Sequence, residues 1–96
     1  MNKTNKLGIN TICTHIGEVK DEQFKGAISP IFMSTSYAFD GVDVKRYPRY
    51  LNTPNQAALV KKIAALEKTE NALIFGSGMA AVSTTLLAFL HKGDHI

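Results

Sequence analysis

Two short segments of this chain carry groups whose chemistry points to an anion. The first is Phe75-Gly76-Ser77-Gly78-Met79, a glycine turn between an apolar run and an amphipathic one. Where such a turn opens a helix, free N–H groups and the positive end of the helix dipole converge, and negative charge is favoured there. Gly78 lets a ligand approach the backbone closely, the amides of Gly78 and Met79 are the natural donors, and the Ser77 hydroxyl can add a third. An ordinary tight turn fits the same five residues, and the pattern does not separate the two readings. The second segment is Tyr47-Pro48-Arg49. A guanidinium can grip two phosphate oxygens at once, and Pro48 biases Tyr47 toward extended backbone, from which its phenol can donate as well. Taken alone, a Tyr-x-Arg is more often a half-buried tyrosine beside a solvated arginine.

Other chemistries fit less well. Gly76-x-Gly78-x-x-Ala81 matches the dinucleotide fingerprint, so the start of a nicotinamide or flavin domain is an alternative. That fingerprint expects an acidic residue at the end of the next strand. Asp94 directly follows Gly93 instead, near that strand's beginning. Ser77 is disfavoured as a nucleophile-elbow serine, because the required glycine two positions earlier is Phe75. Cys13 and His15 are two ligands where a metal site needs three or four, and Gly93 between His91 and His95 removes their common helical face, so no metal is expected. Lys61, Lys62, Lys68 and Lys92 read as solvated.

These groups must be positioned by secondary structure. Asn52-Thr53-Pro54-Asn55-Gln56 is a helix start, with Thr53 to cap, Pro54 in the first turn and Gln56 completing a capping box. Leu59, Ile63 and Leu66 then recur on one helical face, to an end near Lys68 or Thr69. Ala72-Leu73-Ile74-Phe75 reads as a buried strand covered on both faces. A second helix is expected from about Met79 to Leu90 or His91, ended by Gly93. Before Arg49 no period is sustained, and Gly17, Gly26, Pro30, Gly41 and Pro48 punctuate what reads as an extended arm, although Ala27 to Phe32 is too apolar for a free tail.

A lone strand leaves its backbone groups unpaired, and parallel pairing needs further strands after crossover helices. The expected fold class is therefore α/β, in the order extended arm, helix, strand, helix, and incomplete as a domain. Residues 1–50 form the arm and residues 51–96 begin the domain. The chain of 96 residues is 45% hydrophobic, which excludes a mainly disordered or fibrous class. Its 11 Lys+Arg against 8 Asp+Glu are spread without a block of like charge, so no nucleic-acid or membrane partner is indicated. The densest basic cluster, Lys45, Arg46 and Arg49, is either a solvated loop or part of an anion site. The single cysteine fits a reducing compartment, with the cytoplasm as the expected location. No export signal or membrane span is expected.

Thr11-x-Cys13-x-His15-x-Gly17, Gly26-Ala27-Ile28-Ser29-Pro30-Ile31, Ser34-Thr35-Ser36-Tyr37, Tyr47-x-Arg49-x-x-Asn52, Ala65-Leu66-Glu67, Ser77-Gly78-Met79-Ala80-Ala81 and Gly93-Asp94-His95-Ile96 follow in order. Over nearly its whole length the chain thereby resembles the cystathionine synthase and lyase family, the Cys/Met-metabolism branch of fold-type I pyridoxal-phosphate enzymes. It departs in reading Asn52-Thr53-Pro54 where the family commonly has Asn-Pro-Thr, and Gly76 where a serine is frequent. The first preserves a helix start; the second removes a possible side-chain donor but no amide.

The resemblance implies the N-terminal part of a fold-type I large domain with pyridoxal 5'-phosphate as cofactor. Its phosphate would be held by the amides of Gly78 and Met79, and Tyr47 and Arg49 would reach in from a neighbouring subunit. A homo-oligomer, dimer or tetramer, with shared active sites follows, the arm docking on the neighbour through Ile28, Ile31 and Phe32. The substrate implied is a sulfur-containing or activated homoserine-type amino acid, undergoing elimination or replacement at the β or γ carbon. A cystathionine lyase is the first expectation, with a γ-synthase or sulfhydrylase close behind. The family's stacking tyrosine, ring aspartate and Schiff-base lysine match positions after Ile96, so no catalytic residue is expected in this chain and none of the turnover is expected from it alone. The alternative is a noncatalytic remnant that only docks on other subunits.

Overall fold

The computed structural model describes residues 6–96, so the first five residues of the expected arm, Lys3 among them, lie outside it. Helix α1 spans Ile9–His15, a 3₁₀ turn covers Pro48–Tyr50, α2 spans Pro54–Leu66 and α3 spans Gly78–Phe89.

Helix α2 starts as its sequence dictates. Pro54 occupies the first turn, and Thr53 at the N-cap is extended at φ −67° and ψ 155°. The Thr53 N–H and hydroxyl both donate to Gln56 Oε1, at 3.2 and 2.8 Å, so Gln56 satisfies the backbone amide at the cap. The helix stops at Leu66, sooner than Lys68 or Thr69, because Lys68 turns left-handed at φ 57°. Its amide and that of Thr69 then fold back onto the carbonyls of Ala65 and Ala64, at 3.3 and 2.9 Å, closing the helix by a Schellman-type cap without its usual glycine.

Helix α1 lies inside the segment expected to be an extended arm. Its seven residues include the β-branched Ile9, Thr11, Ile12 and Thr14, and Gly8 at its N-cap offers no side-chain acceptor, so local propensity is weak. Tertiary contact supplies what propensity does not. Helix α1 packs on α2, Ile12 is buried, and Lys62 Nζ reaches back from α2 to the Cys13 carbonyl at 2.7 Å. A lysine expected to be solvated thus satisfies a carbonyl at a helix C-terminus. Gly17 lies directly against α2 at φ 85°, and a Cβ there would collide with the Ala58 carbonyl.

The rest of the arm is also tied to α2. The Asn55 carboxamide donates to the Phe32 carbonyl at 2.7 Å and accepts the Phe32 N–H at 3.0 Å. Ser29 Oγ accepts the Val19 N–H at 2.9 Å. Its apolar side chains nevertheless point outward: Ile28 is 84% and Ile31 79% exposed.

The expected strand does not form. No strand occurs among the described residues, and Ala72 to Phe75 run without ladder hydrogen bonds, the Ala72 N–H turning to the Asn71 side chain at 2.9 Å. Nor is the segment buried, since Leu73 and Phe75 are both exposed. The reason is the lack of a pairing partner: an extended segment becomes a strand only when a neighbour accepts and donates along it. Helix α3 begins within a residue of its expected start but ends at Phe89. Leu90 is already extended, and Gly93, at φ 103°, shapes a separate turn closed by the Asp94 N–H on the His91 carbonyl at 3.1 Å.

Core formation is correspondingly slight. Ile12, Ala64 and Thr53 are the buried residues among those described, and no α3 residue is buried. The accessible surface is 8460 Å², whereas a compact monomer of this mass exposes about 5,400 Å². The radius of gyration, 16.7 Å, likewise exceeds the roughly 13 Å of a compact hundred-residue domain. No helix of the described residues is long and apolar enough to cross a membrane.

Two outcomes are expected from this packing. Gly17→Ala combines a left-handed backbone with a backbone collision and should loosen the α1–α2 contact by about 1–3 kcal/mol. Gly41→Ala, at φ 69° with open space around it, should cost only about 1 kcal/mol. Amide exchange of α1 reads the difference, and equal effects would deny the close approach at Gly17. The second outcome concerns Asp21, whose carboxylate accepts the amides of Phe24, Gln23 and Gly26 at 2.9, 3.1 and 3.2 Å. The Phe24 bond is the largest cause holding its pKa below the ordinary 3.8, partly opposed by desolvation. A carboxyl lowered on folding contributes stability that is complete above its unfolded pKa and disappears as pH falls through the folded one. Protection of the Phe24 and Gly26 amides should therefore persist through the ordinary carboxylate range and vanish only below it; loss at pH 5 would contradict the arrangement.

Candidate functional site

The glycine turn is built around Ser77, the N-cap of α3. Its backbone is extended at φ −154° and ψ 157°, and Oγ accepts the Ala80 N–H at 3.1 Å. The Ser77 carbonyl takes the Ala81 N–H at 3.2 Å. Of the amides opening the helix, those of Gly78 and Met79 have no acceptor among the described residues. They are the two that the sequence marks as anion donors. A Cβ built on Gly78 meets nothing within 4 Å, and Met79 is 72% exposed, so the approach to both amides is open. While Ser77 Oγ accepts from Ala80, its own proton remains available, so capping the helix and donating to a ligand are compatible roles.

The second segment is a tight backbone feature. Pro48–Tyr50 forms the 3₁₀ turn, with the Tyr50 N–H on the Tyr47 carbonyl at 2.9 Å and the Leu51 N–H on the Pro48 carbonyl at 3.1 Å. Tyr47 precedes it with extended backbone at φ −153°, as expected of a residue before proline. The Tyr47 and Tyr50 rings meet edge to face, their centroids 5.3 Å apart.

The basic cluster divides by function. Arg46 Nη1 donates to the Asn52 carbonyl at 2.6 Å, and Lys45 Nζ sits 3.8 Å from the centre of the Phe39 ring. Both are spent on the chain itself. Arg49 has no carboxylate or side-chain hydrogen-bond partner among the described residues. Of the three basic residues it is thus the one with no recorded side-chain contact to the rest of the described residues.

No hydrogen bond or ion pair joins the Tyr47-Pro48-Arg49 turn to the start of α3 within the described residues. The two turns are each formed locally and are not brought together by these contacts. The Tyr47-Pro48-Arg49 turn is held by Asn52 and by Gln56, side chains to which the sequence reading assigned no part in this segment's geometry. Asn52 Oδ1 accepts the Tyr47 N–H at 2.9 Å, Asn52 Nδ2 donates to the Lys45 carbonyl at 2.8 Å, and Gln56 Nε2 donates to the Pro48 carbonyl at 3.0 Å. The signal was present, since a carboxamide five residues after Tyr47 spans an acceptor and a donor on one extended stretch. Cys13 and His15 lie on α1, where His15 Nδ1 pairs with Glu18 Oε2 at 3.3 Å.

A helix terminus with two unengaged amides and an unpaired arginine on a second turn suit a phosphorylated ligand, and comparison with known proteins agrees in kind. Residues 10–96 match the family of Cys/Met metabolism PLP-dependent enzymes, and the chain belongs to that family. It is 37% identical over 91 residues to a probable cystathionine gamma-synthase of Herpetosiphon aurantiacus, covering 93% of this chain and 28% of that protein. It is 33% identical over 105 residues to an L-methionine gamma-lyase of Fusobacterium nucleatum subsp. polymorphum, covering 98% and 26%. An O-acetyl-L-homoserine sulfhydrylase of Corynebacterium glutamicum is 33% identical over 99 residues, covering 93% and 23%. The chain therefore spans about a quarter of the length of the curated relatives it matches. The family's cofactor is pyridoxal phosphate.

The cap geometry can be tested directly. Ser77→Ala should destabilise the first turn of α3 by about 1 kcal/mol, and Ser77→Gly by only a few tenths. Amide exchange at Ala80 and Ala81 measures this, and identical behaviour of the two variants would remove Ser77 Oγ from the cap.

Proposed function

We propose that this chain supplies the phosphate-anchoring part of a pyridoxal-phosphate enzyme of sulfur amino acid metabolism. The observation that carries the reading is the pair of unengaged amides at Gly78 and Met79, in a chain of this family. In the proposal these amides take phosphate oxygens at the positive end of α3, and Ser77 adds its hydroxyl proton without leaving the cap. Arg49 contributes a bidentate, charge-assisted contact and Tyr47 a phenol donor. Both come from the adjoining protomer of a dimer or tetramer, a reading supported by the lack of any hydrogen bond or ion pair between the two half-sites among the described residues. The same assembly would cover Ile28 and Ile31.

When bound, pyridoxal phosphate supplies the electron sink for elimination or replacement at the β or γ carbon of an amino acid. Within this segment the proposed work is binding and orientation. A sulfur-containing or activated homoserine-type amino acid is the proposed substrate, by analogy with the relatives' names, in a cystathionine lyase-like, γ-synthase-like or sulfhydrylase-like reaction. The cytoplasm is the proposed compartment.

In the holoenzyme that these residues help to build, Arg49→Ala should weaken cofactor retention by roughly 1.5–3 kcal/mol, the value of a hydrogen bond to a charged group. That corresponds to about a 10- to 150-fold rise in the dissociation constant. Equilibrium dialysis against pyridoxal phosphate measures it. Unchanged affinity would remove Arg49 from the site, and tight binding of a nicotinamide or flavin nucleotide instead would replace the reading with a dinucleotide one.

A further inference from the structure

We infer that Asn52 is a positioning residue for the phosphate clip, fixing the backbone path of the turn from which Tyr47 and Arg49 project. The inference rests on the functional reading above and extends it to residues that touch no ligand.

Two residues of the clip flank a proline, and such a segment has few internal hydrogen bonds to define it. Pro48 contributes no amide, and Leu51, which ends the 3₁₀ turn, sits left-handed at φ 56° where a branched aliphatic residue is disfavoured. Something outside the turn must offset that cost. The Asn52 side chain does so on the near side, accepting the Tyr47 N–H at 2.9 Å and donating to the Lys45 carbonyl at 2.8 Å. One planar carboxamide thereby reads an acceptor and a donor two residues apart, as a neighbouring strand would. Arg46 Nη1 then closes the loop on the Asn52 backbone carbonyl at 2.6 Å.

A second tether reaches the turn from α2. Gln56 uses Oε1 for the Thr53 cap and Nε2 for the Pro48 carbonyl at 3.0 Å, so the capping box and the clip share one side chain. The tether from α2 thus ends on the carbonyl of the residue directly before Arg49. Arg49 itself remains unpaired among the described residues, which is the condition of a side chain held ready for a ligand. Asn52 acts through the backbone of Tyr47 and through it on Arg49; it has no need to approach the phosphate.

The test compares pyridoxal phosphate with pyridoxal, which lacks the phosphate, in holoenzyme carrying Asn52→Ala, Arg49→Ala or both. Asn52→Ala should raise the dissociation constant of pyridoxal phosphate roughly 5- to 30-fold, the loss of one to two net hydrogen bonds. It should leave that of pyridoxal unchanged, and its effect should shrink in the Arg49→Ala background to the part carried by the Tyr47 phenol, so that the two losses are less than additive. Asn52→Ser, a smaller change too short to span Lys45 and Tyr47, should shift affinity in the same direction and serves where the alanine variant does not assemble. Equal losses for the two ligands, or additive losses in the double variant, would reduce Asn52 to a general structural role and overturn the inference. Normal affinity in Asn52→Ala beside weakened binding in Arg49→Ala would overturn it while leaving the functional reading intact. Normal affinity in Arg49→Ala would instead defeat the functional reading itself.

Discussion

The described structure depends on the way the first turn of α2 satisfies backbone groups that lie outside it. A helix that begins at a proline still leaves amides and a preceding extended chain to be fixed. Gln56 answers the cap and the Pro48 carbonyl together, Asn52 holds Lys45 and Tyr47, and Asn55 holds both polar groups of Phe32. Three carboxamides within five residues therefore do for this chain what a neighbouring strand does elsewhere. Further along the same helix, Ala58 meets Gly17 and Lys62 meets Cys13, so α1 is anchored to α2 as well. The arm and the clip keep their shape because α2 is there to receive them.

Nothing comparable supports α3. Its first turn is properly capped, yet its apolar side chains line, with Ala72, Leu73 and Phe75, a groove of about 620 Å³ that lies open. The contrast between the two helices is one of partners rather than of quality. Helix α2 has polar side chains that reach backbone outside the helix, whereas the Ser83 and Thr85 hydroxyls of α3 turn back onto its own carbonyls, and its apolar residues need a burial that the described residues do not provide. The amides of Gly78 and Met79 are left free for the same local reason that makes the turn chemically useful: a helix start has more donors than a single serine can occupy.

The relatives matched by this segment include a synthase, a lyase and a sulfhydrylase, at similar identity. A stretch shared so evenly among different reactions is suited to a task they have in common. Anchoring a cofactor's phosphate is such a task, because it fixes the reactive ring without touching the bonds that differ between substrates. The residues proposed for the two half-sites are backbone amides, an arginine and a tyrosine, none of which distinguishes one amino acid substrate from another.

The start of α2, the glycine turn and the beginning of α3 were legible in the sequence, because each follows from local chemistry: a proline beside a capping residue, a serine before a helix. The tertiary structure decided what depends on distant partners. It made a helix of Ile9–His15, whose β-branched residues and glycine cap give no local signal, by setting it on α2. It turned Lys62 from a solvated charge into a carbonyl donor, and Arg46 and Asn52 into a brace for the clip. It withheld a strand from Ala72 to Phe75, since a continuous apolar run suits a buried strand but only a second backbone within hydrogen-bonding distance makes it one. Local rules fix what a residue offers; only the fold determines what accepts it.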